Sequence, residues 1–458
     1  MNKIRKSLSD YKGLCWIALA LLVVPMFGSY FFDDMFSTVS GIFSDSSLLQ
    51  LGWGQDEYGK YTSGYSVLCI FGGLVLCGML LDKWGVRITG SIFVGLMTAG
   101  AAMVTWAITA GLPAKTSLNI AYAGCMIFGL GSEIAGVAVT RSIAKWFKDK
   151  SMALAMGLQL AIARLGTAAA FLLSPMLIQE KTCGEIYTLA ETARPAFVGL
   201  ALLLLGSIFW AIFVAMDARA DRGGRLAEGE GLAGSEQSSE DQFRFRDIGK
   251  VLGNGNWWLI ALLCVFFYSS IIAFKKFTGA ILVPRFGVSA VAASFMATIL
   301  PFSTVVFAPL FGLMVDKKGH GTRWMLLGAV LALCAHLIVG FAPSGNAATG
   351  YAAMILLGFS YSLVPAALWP SVPKIVPEKV LGTAFSLIYW VQNLGLWAFK
   401  RFAGHIMAPV SEGGDALAGI HNVELMFTAV CIAALAITLQ LVRASRRAPE
   451  LKLDKPNS

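Results

Sequence analysis

The sequence predicts an all-α membrane protein with twelve transmembrane helices in two pseudo-symmetric six-helix bundles. Three observations predict it. The 458 residues are 57% hydrophobic and only 14% charged, with a mean hydropathy of +0.69. A water-soluble domain carries about 25% charged residues, so this chain lacks the polar surface to live in water. Twelve apolar runs follow one another, most of them longer than the ~20 residues a spanning helix needs. The first six runs and the last six also share sequence patterns, the mark of an internally duplicated transport fold.

The runs lie at 14–42, 58–81, 89–110, 117–144, 151–178, 195–216, 256–282, 289–315, 324–341, 348–373, 381–408 and 423–443, the ninth being short. The basic opening MNKIRKSLSDYKG leads into the first run with no small-residue cleavage site, so that run reads as a retained span rather than a signal peptide. Residues 1–216 are expected to form the N-terminal bundle and 255–458 the C-terminal one. Between them, 217–254 contains RADRGGRLAEGEGLAGSEQSSEDQ, rich in Gly, Ser and both charge signs. Such a stretch cannot bury a core and reads as a mobile linker.

Net charge is +9. The basic residues cluster in alternate loops, as in Lys83 and Arg87, Lys145 and Lys148, Lys317 and Lys318, or Arg446 and Arg447. That is the positive-inside pattern and not a nucleic-acid patch, and it places both termini in the cytoplasm. Lys400 and Arg401, late in the eleventh run, oppose the trend. Seven of the eight cysteines lie inside apolar runs and imply no disulfide framework. No phosphate loop, zinc-protease helix or paired-cysteine metal motif is present, so neither a cofactor nor a metal is expected.

The repeat is specific. GMLLDKWG (Gly78, Asp82, Gly85) matches GLMVDKKG (Gly312, Asp316, Gly319) at identical spacing. FGLGSE matches LGFSYS and IARLG matches VQNLG, both at an offset of 229, so Glu133 maps onto Ser362 and Arg164 onto Asn393. Glu133 and Arg164 are charges set deep in apolar helices, where charge is costly and faces a cavity or a partner. At 1.5 Å per residue Glu133 lies roughly 24 Å below the outer end of its span and Arg164 roughly 20 Å above the inner end of its own. One reading is a substrate site; the other is a permanent Glu133–Arg164 ion pair. The repeat then expects a cavity charged on its N-terminal wall and neutral-polar on its C-terminal wall. There Gln392, Asn393, Tyr389, Trp390 and Tyr361 are candidate substrate contacts, with helix packing as the alternative.

Asp33 and Asp34 sit about two-thirds along the first span, and Lys275 and Lys276 about two-thirds along its counterpart, the seventh. Three readings stand: an outer gate of Asp–Lys pairs, an acid carrying a coupling proton, or lysines that snorkel to the interface. Arg141 is expected to act as a cytoplasmic gate or latch charge, and His336 to pack.

The string Gly78-Asp82-Gly85-Arg87 resembles the signature loop between spans two and three of the major facilitator superfamily. The resemblance implies alternating access by two rocking bundles, with this loop as a cytoplasmic latch. Asp82 would then face the N-terminus of the eleventh span, where the helix dipole favours an anion. In the second copy His320 and Gly321 precede Arg323, a departure from the pattern.

Longer stretches are similar to one branch, the lysosomal dipeptide uniporters of animals and their relatives. They are GSYFFDD, FGLGSEIAGVAVTRSIAKWFKDK, GLQLAIARLG, SYSLVPAALWPSVPKIVPEKVLGTAFS and VQNLGL. The resemblance implies dipeptide transport by facilitated diffusion, that is uniport, with Glu133 holding the peptide's amino end and Arg164 its carboxylate. The span-one acid of the branch matches Asp34, while Asp33 and the Lys275–Lys276 pair stand outside its pattern. The branch's N-terminal dileucine sorting signal is absent. The expected location is therefore a bacterial inner (plasma) membrane, with no accessory subunit indicated and a monomer sufficient for one pathway. The competing readings are a proton-coupled symporter of dipeptides, a carrier of another small organic anion, a ligand sensor without flux, and an intramembrane enzyme, for which no nucleophile–base arrangement exists.

Overall fold

The computed structural model describes residues 12–147, 151–181, 184–228, 248–377, 380–411, 415–448 and 453–455. The N-terminal half contains α1 (Lys12–Asp34), α2 (Gln55–Leu68), α3 (Leu74–Thr109), α4 (Ala114–Trp146), α5 (Met152–Leu177), the short α6 (Leu189–Thr192) and α7 (Arg194–Glu228). The C-terminal half contains the short α8 (Ile248–Leu252), α9 (Gly255–Lys276), α10 (Thr278–Phe286), α11 (Ala290–Lys318), α12 (Gly321–Phe341), α13 (Ala347–Leu368), the short α14 (Val372–Ile375), α15 (Leu381–Ser411) and α16 (Ala416–Arg447).

Ten of the described helices are long and apolar enough to cross a membrane unaided. The second and eleventh spans complete the twelve by other means. The second is assembled from α2, a π-type turn at Cys69–Gly73 and the first arm of α3. That arm ends at Gly85, whose φ of 74° reverses the chain into the third span. Only glycine takes this conformation without strain. The eleventh span, α15, carries Lys400 and Arg401. These two less apolar spans pack against each other across the two halves, so neither offers its polar side to lipid. Their contact is backbone on backbone: a Cβ at Gly59 would meet Gly404 Cα at 2.7 Å.

Three expectations are corrected. The first span stops at Asp34 and not near residue 42, because the chain then turns into short 3-10 segments at Ser40–Ser44 and Ser46–Leu48. Asp33 and Asp34 therefore cap a helix end. Lys275 and Lys276 likewise end α9, which breaks at Phe277 before α10. The segment expected as a linker from residue 217 is still helical through Glu228, because Asp217 is buried under Lys145, Arg87 and Trp146. Residues 229–247 lie outside the described residues.

Alternating spans define two faces. The terminal face holds the start of α1, the Gly85 turn and the end of α16. The opposite face holds the ends of α1 and α9 and the starts of α2 and α11.

Candidate transport site

Glu133 sits half-buried in α4. Small residues let α2 approach it: a Cβ at Gly129 would meet the Tyr65 carbonyl oxygen at 2.1 Å. The approach delivers the Tyr65 hydroxyl, which donates to Glu133 Oε1 at 3.0 Å and lies 3.2 Å from Ser132 Oγ. Ser132 in turn meets Ser29 Oγ of α1 at 2.6 Å. Arg164 of α5 is also half-buried. Its guanidinium lies 5.6 Å from the ring centre of Tyr30 and 5.2 Å from that of Tyr361 on α13. Cation–π attraction of this kind holds a desolvated guanidinium without neutralising it.

Among the described residues no ion pair joins Glu133 to Arg164, so the permanent-pair reading does not hold in this conformation. Each charge is held by phenols: Glu133 by the Tyr65 hydroxyl, Arg164 by the rings of Tyr30 and Tyr361.

The C-terminal wall is aromatic rather than built from amides. Tyr361 meets Tyr268 edge-on at 6.2 Å, and Trp369 donates to the Tyr268 hydroxyl at 2.9 Å. Tyr389 stacks on Trp369 at 5.1 Å and is exposed. The other expected contacts are placed elsewhere. Gln392 is buried against α9, where it accepts from Cys264 Sγ at 3.3 Å. Asn393 is buried and donates to the Tyr389 carbonyl in its own helix, at 3.1 Å. Trp390 donates to the Ile70 carbonyl at 2.6 Å, in the seam between α2 and α15. Periodicity put these residues on one helix, but only packing shows which face the site shares.

The four charges of the first and seventh spans do meet. Asp34 is fully buried and accepts from Lys275 at 2.7 Å, Lys276 at 2.8 Å and Thr167 at 2.8 Å. Lys276 also reaches Asp33 Oδ2 at 2.7 Å. Both lysines are buried inside the protein, so the snorkelling reading fails.

Further contacts between the halves were not foreseen. Arg401 pairs with Asp56, with Nη2–Oδ2 at 3.0 Å, and His405 lies 3.3 Å from the same carboxylate. Lys400 is buried, donates to the Thr62 carbonyl at 3.2 Å and sits 5.4 Å from the Tyr65 ring centre. The sequence signal was present, since Lys400 and Arg401 broke the loop-charge trend. On the opposite face Glu180 accepts from the Ala290 amide at 2.5 Å, at the N-terminus of α11. A cavity of about 350 Å³ beside it, lined by Ile42, Tyr187 and Val283, contains neither Glu133 nor Arg164.

On the terminal face Arg87 and Lys145 form ion pairs within the N-terminal half. Arg87 pairs with Asp217 at 3.2 Å and with Asp221, and Lys145 reaches both acids at 2.8 Å. Gly78 lies in the α3 backbone, while the Asp82 side chain, expected to face α15, is outside the described residues. Arg141 is half-buried near the terminal end of α4. His336 does more than pack: its Nδ1 lies 2.9 Å from Glu424 Oε2, with both residues fully buried beside Phe274 and Phe427.

Two bundles of membrane-spanning helices packed across a common seam have the architecture of a secondary transporter. The Major Facilitator Superfamily model matches residues 26–398, and the chain belongs to that family. Among similar proteins, the zebrafish (Danio rerio) lysosomal dipeptide transporter MFSD1 is 31% identical over 422 residues, covering 90% of this chain and 83% of the relative. The human (Homo sapiens) counterpart is 30% identical over 398 residues, covering 85% and 79%. Solved structures share the fold. The nucleoside transporter NupG superposes with a TM-score of 0.69 at 12% identity, covering 93% of this chain and 99% of its own. The xylose transporter XylE from E. coli, in an inward open conformation, gives 0.66 at 14% identity, covering 93% and 96%.

Proposed function

We propose that this chain moves dipeptides across a membrane by alternating access, as a uniporter. The observation that carries the reading is the separation of Glu133 and Arg164: opposite charges at mid-depth, each held by phenols and neither neutralising the other. A dipeptide presents the complement, an ammonium at one end and a carboxylate at the other. Arg suits the carboxylate because its planar fork binds two oxygens and keeps its charge. Tyr361, Tyr268, Trp369 and Tyr389 supply a wall that packs against varied side chains while offering few fixed polar demands. The dipeptide transporters among the similar proteins support the same reading.

In this reading the pairs of Asp33 and Asp34 with Lys275 and Lys276 form the outer gate, closed here, and the terminal face is cytoplasmic. The positive-inside distribution of Lys and Arg supports that orientation. Arg87, Gly78, Gly85, Asp82 and Arg141 belong to the cytoplasmic latch that closes when the outer gate opens. One chain supplies the whole pathway, so a monomer suffices, with residues 1–216 and 255–458 as its two moving halves joined by 217–254. An anion carrier built on the two lysines is disfavoured, because Asp33 and Asp34 already neutralise them.

The test is uptake of a labelled dipeptide into proteoliposomes, wild type beside Arg164→Ala, with and without an imposed pH gradient. Saturable uptake lost in the variant and indifferent to the gradient is expected. Gradient-driven accumulation would replace uniport by proton symport, and no uptake by folded wild type would overturn the dipeptide reading.

A further inference from the structure

We infer that Tyr65 is a placeholder for the substrate's ammonium at Glu133, and that through Lys400 it links occupancy of the site to the α2–α15 seam. The inference rests on the reading that Glu133 receives an ammonium.

Among the described residues Tyr65 is the one donor on Glu133, at 3.0 Å. A neutral phenol is a weaker partner for a carboxylate than an ammonium, whose hydrogen bonds are charge-assisted. The phenol also has somewhere else to go. Its single hydroxyl proton faces two acceptors, Glu133 at 3.0 Å and Ser132 Oγ at 3.2 Å. An arriving ammonium can therefore take Glu133 while Tyr65 turns its proton to Ser132. Ser132 can then direct its own proton to Ser29, 2.6 Å away. The Tyr65 and Ser132 hydroxyls both keep an acceptor through the exchange, which limits its cost.

The same ring holds the seam. Lys400 is 2% exposed and has no carboxylate at ion-pair distance among the described residues; its partners are the Thr62 carbonyl and the Tyr65 ring. A buried ammonium with so few partners depends on each of them. Along α2 and α15 this contact is continuous with the Gly59–Gly404 approach and the Asp56–Arg401 pair. These are the contacts that must part if the opposite face is to open. Without its bond to Glu133 the ring beneath Lys400 is anchored through Ser132 alone, which loosens the seam from its mid-depth end. Occupancy and opening are then coupled because the ligand replaces a contact that belongs to the closed state.

The experiment uses the full chain in lipid nanodiscs, with dipeptides and their N-acetylated forms as probes. Tyr65→Phe keeps the ring and removes the competing hydroxyl. Its affinity for free-amino dipeptides should rise about tenfold, the worth of one hydrogen bond to a charged group. The N-acetylated forms should show no gain. Weaker or unchanged binding of the free-amino forms overturns the placeholder role. Hydrogen–deuterium exchange without ligand tests the link separately. Tyr65→Phe and Lys400→Met should both speed exchange in α2 and in the facing part of α15. No acceleration, or acceleration spread equally over α12 and α16, marks a merely structural tyrosine and overturns the link. If the wild type binds no dipeptide, the functional reading fails, while the ligand-free exchange still decides whether Tyr65 and Lys400 hold the seam.

Discussion

Arg164 rests on two aromatic faces, so its fork remains available for a carboxylate. Lysine would keep the charge and lose the planar, two-pronged geometry. Arg164→Lys should raise the KM for dipeptides about tenfold, the cost of one charge-assisted hydrogen bond, with little change in fold stability. Uptake kinetics and thermal unfolding of the same preparation check both halves of the statement. His336 and Glu424 present the opposite case, a buried pair far from any cavity the site uses. Removing one partner leaves the other's buried polar atom without its hydrogen bond, at a cost of about 2 kcal/mol. Glu424→Ala should therefore lower thermal stability in detergent, and the double change His336→Phe with Glu424→Met should recover most of it. A single variant as stable as wild type would show that the pair carries no such interaction. The acid was not singled out from sequence, because one glutamate in an apolar run does not say which histidine it will meet.

Among the elements, α2 and α15 are the informative pair. Their polar residues looked like exceptions to hydropathy and charge rules, and packing explains them: the polar sides face each other. The two glycines that set their spacing leave no room for a side chain, since a Cβ at Gly404 would meet Gly59 Cα and the Gln55 carbonyl oxygen at 2.6 Å. Gly404→Val should cost the closed state about 2 kcal/mol through overpacking, about a thirtyfold shift in population toward opening. A cysteine at Ile42, on the wall of the opposite-face cavity, should then react faster with an impermeant thiol reagent. At the same face α6 opens with a capping box, in which the Thr188 hydroxyl and the Glu191 carboxylate satisfy each other's backbone amides. Lys181, then the Thr188 amide and hydroxyl, hold the Glu191 carboxyl down at about 2. The ordinary value is about 4.3, so this anchor is fully present above that pH and is lost as pH falls through the depressed value. Protection of the Leu189–Thr192 amides, relative to their intrinsic exchange at each pH, should fall at the acid end and stay flat between pH 5 and 7.

At the scale of the whole molecule, the ion pairs of Asp34 with Lys275 and Lys276 and of Asp56 with Arg401 join the two halves toward the opposite face. In the proposed cycle these contacts form the closed outer gate. Asp34 is its centre, because one buried carboxylate answers two ammonium groups. Asp34→Asn leaves Lys276 with Asp33 and takes from Lys275 the carboxylate it pairs with. Labelling of Ile42→Cys should rise and uptake should fall, and adding Lys275→Met should return both part of the way. Labelling unchanged in Asp34→Asn would remove these residues from the gate.

Twelve spans, their division into two related halves and the placing of Glu133, Arg164, Asp34 and the paired lysines within apolar runs were legible in the chain alone. The reason is energetic: long apolar runs have few alternatives in lipid, and a charge within one must be answered. What answers each charge was decided by tertiary structure. Asp34 found both lysines across 241 residues of chain, Glu133 found Tyr65 rather than Arg164, and Gln392 turned to Cys264 rather than to the site. Helical periodicity assigns a residue to a face of its own helix, and only the packing of a second helix determines what that face meets.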